Sequence, residues 1–222
     1  QNGTLSQENV LHILNGQLMY DEFHRKQMLG AADYVPFNEA MCVNEVTFPI
    51  FDHAFNETRA AGHGVSVHAY VEKVLTPLHL LLSKSYESVF LWFGEDVFCQ
   101  LNMLTLLAYL EQIDFNGNVY LHHFSENEYL VQEEQLTLGT YSSVFKQVLI
   151  DKKMPTVPLL PVIIQAIKRY LDMQNEENEV TNYIQTHPDL SEKQLVKALL
   201  STFSALGYGD TQYLQFIRKV RS

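Results

Sequence analysis

Ser88-Val89-Phe90-Leu91-Trp92-Phe93-Gly94-Glu95-Asp96-Val97-Phe98-Cys99-Gln100 is the stretch that decides the fold. Val89 to Phe93 is an unbroken run of β-type apolar residues, as expected of a strand covered on both faces, and Gly94-Glu95-Asp96 ends it. A strongly apolar helix follows from Phe98 to Ile113, carrying Leu101, Leu104, Leu107, Ala108 and Leu110. Asn116-Gly117-Asn118 is a turn, and Val119–Phe124 reads as the next strand. Strand, helix, strand at this spacing places the two strands parallel.

The same arrangement lies upstream. Val10–Leu14 is a short apolar strand, Asn15-Gly16-Gln17 a turn, Leu18 to Leu29 a helical pattern, and Tyr34–Phe37 a second strand. From Asn38 to Gly64 the pattern is weak, and an ordered excursion with one short helix within Asp52–Arg59 is expected. Ser66 can cap a helix over Val67–Leu82, which Pro77 should kink or divide. Downstream, Ser125–Leu138 reads as irregular with a short strand at Tyr129–Val131, and a helix is expected over Ser142–Ile150. Pro155, Pro158 and Pro161 mark a boundary. Helical patterns then run over Val162–Met173, Glu179–Thr186, Ser191–Leu206 and Thr211–Arg218. The expectation is an α/β, Rossmann-like domain over residues 8–150, with a mostly parallel sheet flanked by helices. A smaller C-terminal helical unit, winged-helix-like in outline, is expected over residues 155–222.

No apolar run reaches the roughly 18 residues that a membrane span needs. Residues 1–145 hold 5 Lys/Arg against 18 Asp/Glu, and residues 146–222 hold 10 against 8. The acidic part is therefore a poor partner for nucleic acid. Two cysteines, Cys42 and Cys99, form no disulfide framework and suit a reducing cytoplasm.

In an open parallel sheet, ligands bind outside the carboxyl ends of the strands. Those ends carry Asn15-Gly16-Gln17, Asn38-Glu39, and Gly94-Glu95-Asp96 followed by Gln100. Glu95 and Asp96 can serve as helix caps or bind a polar ligand group, and the two roles are compatible. Arg59 is the only Lys or Arg between Lys26 and Lys73. It can pair with Asp52 or Glu57, or offer an anion-binding guanidinium over the sheet rim. Trp92 is read as core with a wall of a pocket as the alternative, and His12 as a hydrogen-bonded core histidine. None of the histidines has a metal-ligand spacing, so the sequence assigns no metal. It assigns no cofactor either, since the G-x-G-x-x-G and P-loop patterns are absent.

Leu11-His12-Ile13-Leu14-Asn15-Gly16 together with Val89–Asp96 and Gln100 resembles an uncharacterised bacterial group, the domain-of-unknown-function family catalogued under the number 1835. The chain departs from that family's pattern at Gln17 and at Asn38-Glu39. The resemblance implies a Rossmann-like fold and no established activity.

The leading expectation is a cytoplasmic ligand-binding or regulatory protein. Its rim pocket is built from Asn15, Gly16, Glu39, Arg59, Glu95, Asp96 and Gln100, and its ligand is small and polar, nucleotide-like or sugar-like. A homo-oligomer is compatible with the sequence. The alternatives are a hydrolase or transferase with Glu95 or Asp96 as base, and a DNA-associated regulator using Lys193, Lys197, Arg218, Lys219 and Arg221 of the C-terminal helices.

Overall fold

The computed structural model describes residues 9–125 and 128–222, so only the expected domain's residue 8 precedes the described residues. Five strands form one sheet: β1 (Val10–Leu14), β2 (Asp33–Pro36), β3 (Ser88–Trp92), β4 (Asn118–Ser125) and β5 (Glu128–Leu136). Their order is β2-β1-β3-β4-β5; the first four are parallel, and β5 runs antiparallel to β4. The fold is α/β, Rossmann-like, with helices on the sheet and after it. The chain leaves β1 toward β2 and returns to β3 on the other side of β1, so the topological switch point lies between the carboxyl ends of β1 and β3.

The fifth strand is longer than the sequence pattern allows. Gln132-Glu133-Glu134-Gln135 reads as an acidic loop, yet these residues pair with His123, His122, Leu121 and Tyr120 of β4. An antiparallel edge strand needs few apolar residues and is protected from further pairing by charge. Leu136, opposite Val119, is buried in the core.

The two sheet faces are unequally clothed. Leu11 and Ile13, Val35, Val89 and Leu91, and Val119 and Leu121 point into the main core with nearly all the helices. The central helix there is α5 (Val97–Gln112), buried continuously from Cys99 to Leu110, as a helix apolar on every side must be. On the opposite face α1 (Gln17–Lys26) packs Phe23 onto Leu14 and Trp92. Trp92 is thus a core residue, as its sequence context predicts.

Between β2 and β3 lie α2 (His53–His63), α3 (Val67–Tyr70) and α4 (His79–Ser83), the last two joined through a π-helical turn at Val71–Leu75. Ser66 caps α3, and the helical stretch divides around Pro77 as expected. The excursion from Asn38 to Asp52 has no regular elements and is held by buried side chains instead. Asn102 of α5 donates to Glu39 O at 2.8 Å and accepts from Met41 N–H at 2.9 Å. Gln112 does the same for Ile50, accepting from its N–H at 2.8 Å and donating to its carbonyl at 3.0 Å. These amides supply the hydrogen bonds that a buried loop cannot find within itself.

After β5 come α6 (Tyr141–Phe145), a π-helical turn at Lys146–Ile150, and then α7 (Pro161–Asp172), α8 (Glu179–Thr186), α9 (Glu192–Thr202) and α10 (Asp210–Arg221). Pro161 opens α7, where its missing N–H costs nothing. Every element of the C-terminal unit is helical, so among the described residues it has no wing. Its Ile163, Ile167, Leu195 and Ile217 belong to the same apolar core as Leu11 and Leu91. No helix among the described residues is long and apolar enough to cross a membrane.

Candidate functional site

Glu39 follows β2 and is buried, with only 5% of its surface exposed. Arg59 of α2 meets it in a two-point pair: Nε–H donates to Oε2 at 2.8 Å and an Nη2–H to Oε1 at 2.9 Å. The other Nη2–H donates to Ala40 O at 2.9 Å, and the two on Nη1 donate to Val43 O at 2.7 Å and Glu45 O at 3.1 Å. All five donors of a fully buried guanidinium are therefore committed. Arg59 fastens the excursion to α2, and its partner is Glu39 rather than the nearby Asp52 or Glu57.

The Glu39 carboxylate accepts three further bonds. They come from Ala40 N–H at 2.7 Å, Tyr70 O–H at 2.7 Å and His63 Nε2–H at 2.6 Å. Burial works to raise the Glu39 pKa, but the hydrogen bonds and charges of Arg59 and His63 outweigh it and hold the carboxyl well below its ordinary range. Burial, reinforced by the Glu39 charge, pushes the Tyr70 phenol up. His63 lies four residues after Arg59 on α2, stacks on the Tyr70 ring at 14° and keeps 27% of its side chain exposed. An ionised carboxylate can only accept, so the Nε2 facing it carries a proton.

His63 and the edge of Glu39 form one wall of a cleft of about 710 Å³. The ends of β1 and β2 contribute Gly16, Gln17 and Asn38, and Thr211, Gln212 and Gln215 of α10 close the other side. Phe37, Val74 and Phe98 add apolar surface. Asn38 is oriented by the consequences of Pro77. A proline has no N–H to give the carbonyl four residues before it, and Lys73 O instead accepts from Asn38 Nδ2 at 3.2 Å. The same Nδ2 donates to Gln17 Oε1 at 3.0 Å, which leaves Asn38 Oδ1 as the free acceptor.

The seven residues that sequence places at the rim separate into four situations. Gly16 and Glu39 line the cleft. Arg59 stands behind Glu39 and reaches no ligand space. Asn15, Asp96 and Gln100 gather around Cys99 and Gly94 at the switch point. There Asn15 Nδ2 donates to Cys99 Sγ at 2.8 Å, Asp96 Oδ1 caps α5 by accepting from Cys99 N–H at 2.8 Å, and Gln100 Nε2 donates to Gly94 O at 2.7 Å. Burial, then the Asp96 charge, pushes the Cys99 thiol up and leaves it a poor nucleophile. Glu95 is exposed and outside the lining of the cleft.

Sequence reasoning placed Asn38 at a strand end without assigning it to the pocket, and passed over His63, Tyr70 and the α10 residues of the lining. The available signal was the spacing of Arg59 and His63, which puts both on one helix face. The basic C-terminal residues are partly engaged: Arg218 pairs with Glu192 at 3.2 Å, and Arg221 donates to His187 O at 3.1 Å. Among the described residues no cluster of three or more potential metal ligands occurs. On the α1 face of the sheet, Trp92 Nε1–H donates to His12 Nδ1 at 2.9 Å. Burial, then the charge of His122, lowers the His12 pKa to about 4.

No family model, no curated protein and no solved structure matches the chain. The family resemblance drawn from the β1 and β3 motifs therefore rests on those motifs alone.

Proposed function

We propose that this chain is a small-ligand-binding protein, and that its ligand sits in the cleft between the carboxyl ends of β1 and β2 and helix α10. The observation that carries this reading is the cleft itself. Its volume of about 710 Å³ falls within the size of small-molecule sites, and on its wall His63 is oriented by Glu39 and Asn38 by Gln17 and the Lys73 carbonyl. A regulatory role follows naturally, because the cleft joins the sheet rim to the C-terminal helices and a bound ligand would tie the two together. We place the protein in the cytoplasm, which suits two free buried cysteines, Cys42 and Cys99. Catalysis by Glu95 or Asp96 has less support: Glu95 stands off the cleft, and Asp96 is engaged at the start of α5.

A thermal-shift screen over nucleosides, nucleotides, sugars and sugar phosphates tests the reading. At a hundred times its Kd a ligand adds about 2.7 kcal/mol, which for a chain of this size raises Tm by about 5–10 °C. Gln215→Trp, at an exposed α10 position on the cleft, should remove the shift without lowering the ligand-free Tm. Hits that survive this substitution, or a screen without hits, would refute the assignment.

A further inference from the structure

Resting on that reading, we infer that the cleft binds a flat ring with N–H and C=O groups on its rim, an oxo-pyrimidine or oxo-purine base. Two side-chain amides whose ends are fixed by their own hydrogen bonds carry the inference. Asn38 Nδ2 faces the Lys73 carbonyl, which can only accept, and gives its other N–H to Gln17 Oε1. Gln17 is turned that way because its Nε2 donates to Asp21 Oδ1 at 3.0 Å. Both N–H groups of Asn38 are thus committed, and Oδ1 is the end left for a ligand. Gln212, on the α10 wall, is fixed in the opposite sense. Its Oε1 accepts from Gly209 N–H at 2.7 Å, a group that can only donate, so Nε2 is the end left over. A side-chain amide does not titrate, so this acceptor and this donor keep their roles at any working pH.

An acceptor fixed on one wall and a donor fixed on the other select a ligand by pattern. A hydroxyl rotates to donate or accept as its partner demands, so a polyol gains no selectivity from ends fixed in advance. In an oxo base the ring N–H and the carbonyl are set rigidly, the first suited to Asn38 Oδ1 and the second to Gln212 Nε2. Side-chain amides read base edges in nucleic acids by the same matching of donors and acceptors. The faces of such a ring call for apolar surface. The lining supplies it in half-buried Phe98 and Pro77 and in exposed Val65.

Calorimetric titration of the full chain with matched pairs tests this: uridine against 3-methyluridine, and inosine against 1-methylinosine. At least one parent nucleoside should bind, and its methylated partner, which lacks the ring N–H, should bind at least about tenfold more weakly, the effect of one acceptor left unpaired. Gln212→Glu keeps an oxygen for Gly209 N–H and turns only the other end from donor into acceptor. It should weaken the parent by at least about tenfold while the ligand-free Tm does not fall. Equal or tighter binding of the methylated member overturns the inference, as does an unchanged affinity in Gln212→Glu. Binding by neither parent overturns the ligand class, whereas the cleft assignment itself falls only if the broader screen yields no shift that Gln215→Trp removes.

Discussion

Breaking the Glu39–Arg59 pair from each side, and then from both, should give unequal costs that do not add. Arg59→Met strips a buried carboxylate of its counter-charge, and breaking such a pair costs about 3–5 kcal/mol. It also takes donors from Ala40, Val43 and Glu45 carbonyls, at about 1 kcal/mol each. The expected loss is therefore about 6–8 kcal/mol. Glu39→Gln leaves those three bonds in place and should lose only about 3–5 kcal/mol. The double substitution leaves no uncompensated charge, so its cost should fall at least about 2 kcal/mol below the sum of the singles. Urea unfolding followed by far-UV circular dichroism and by the fluorescence of Trp92, the sole tryptophan, measures all three. Since Arg59→Met could consume the whole stability of a small domain, about 5–15 kcal/mol, Arg59→Lys provides a milder arm with the charge kept and the fork lost. Additive costs, or an Arg59 substitution cheaper than Glu39→Gln, would refute the view that this pair fastens the excursion.

His12 is neutral in the fold, with its pKa lowered to about 4, so it takes up a proton more readily when unfolded. The stability linked to it is complete above its ordinary pKa near 6.5 and is lost as pH falls toward 4, about 3 kcal/mol in all. His12→Gln keeps an acceptor for Trp92 Nε1–H and does not titrate. The difference between wild type and variant in urea midpoints from pH 7 to pH 4 should show that loss in the wild type only, and parallel curves would contradict it. Gly207 has φ of +71°, and a Cβ there would lie 2.2 Å from Asp96 Oδ1. Gly207→Ala should thus cost about 1 kcal/mol or more from the backbone alone, and Asp96→Ala should relieve the additional steric part in the double variant. Glu111 of α5 accepts from the N–H groups of Gly139, Tyr141 and Ser142, acting as a remote cap for α6. Glu111→Ala should lower stability by about 1–3 kcal/mol in thermal or urea unfolding, and an unchanged midpoint would assign those N–H groups to solvent.

The sheet was legible because its signals are local. Val89 to Phe93 is apolar at every position, the switch to helical periodicity follows Gly94 at once, and the β1 segment repeats the pattern in shorter form. Of β5 only Tyr129–Val131 was legible, because its continuation to Leu136 as an edge strand shows mainly Gln and Glu, the residues of an acidic loop. The excursion after β2 was illegible for another reason. Its order comes from Asn102, Gln112 and Arg59, which lie about 10 to 60 residues away in sequence and have no signature until the chain is folded.

The cleft lies on the rim of the sheet, beside the switch point between β1 and β3 that governs open α/β folds. There Asp96 meets Gly207, which leads from the short 3-10 turn at Ser204–Leu206 toward α10. Asn15 and Gln100 give amide N–H groups to Cys99 Sγ and Gly94 O and Asp96 accepts from Cys99 N–H, while Asn15 Oδ1 and Gln100 Oε1 are buried without a hydrogen-bond partner among the described residues. Farther along the rim, α10 stands away from the strand ends, and the cleft opens between Gln212 and Gln215 on one side and Asn38 and His63 on the other. The C-terminal helices thus fill the usual crevice and supply a wall for the one beside it. A larger residue at Gly207 should therefore change the spacing of α10 as well as stability. If the cleft is the binding site, Gly207→Ala should weaken whatever ligand Gln215→Trp excludes, even though Gly207 itself does not line the cleft.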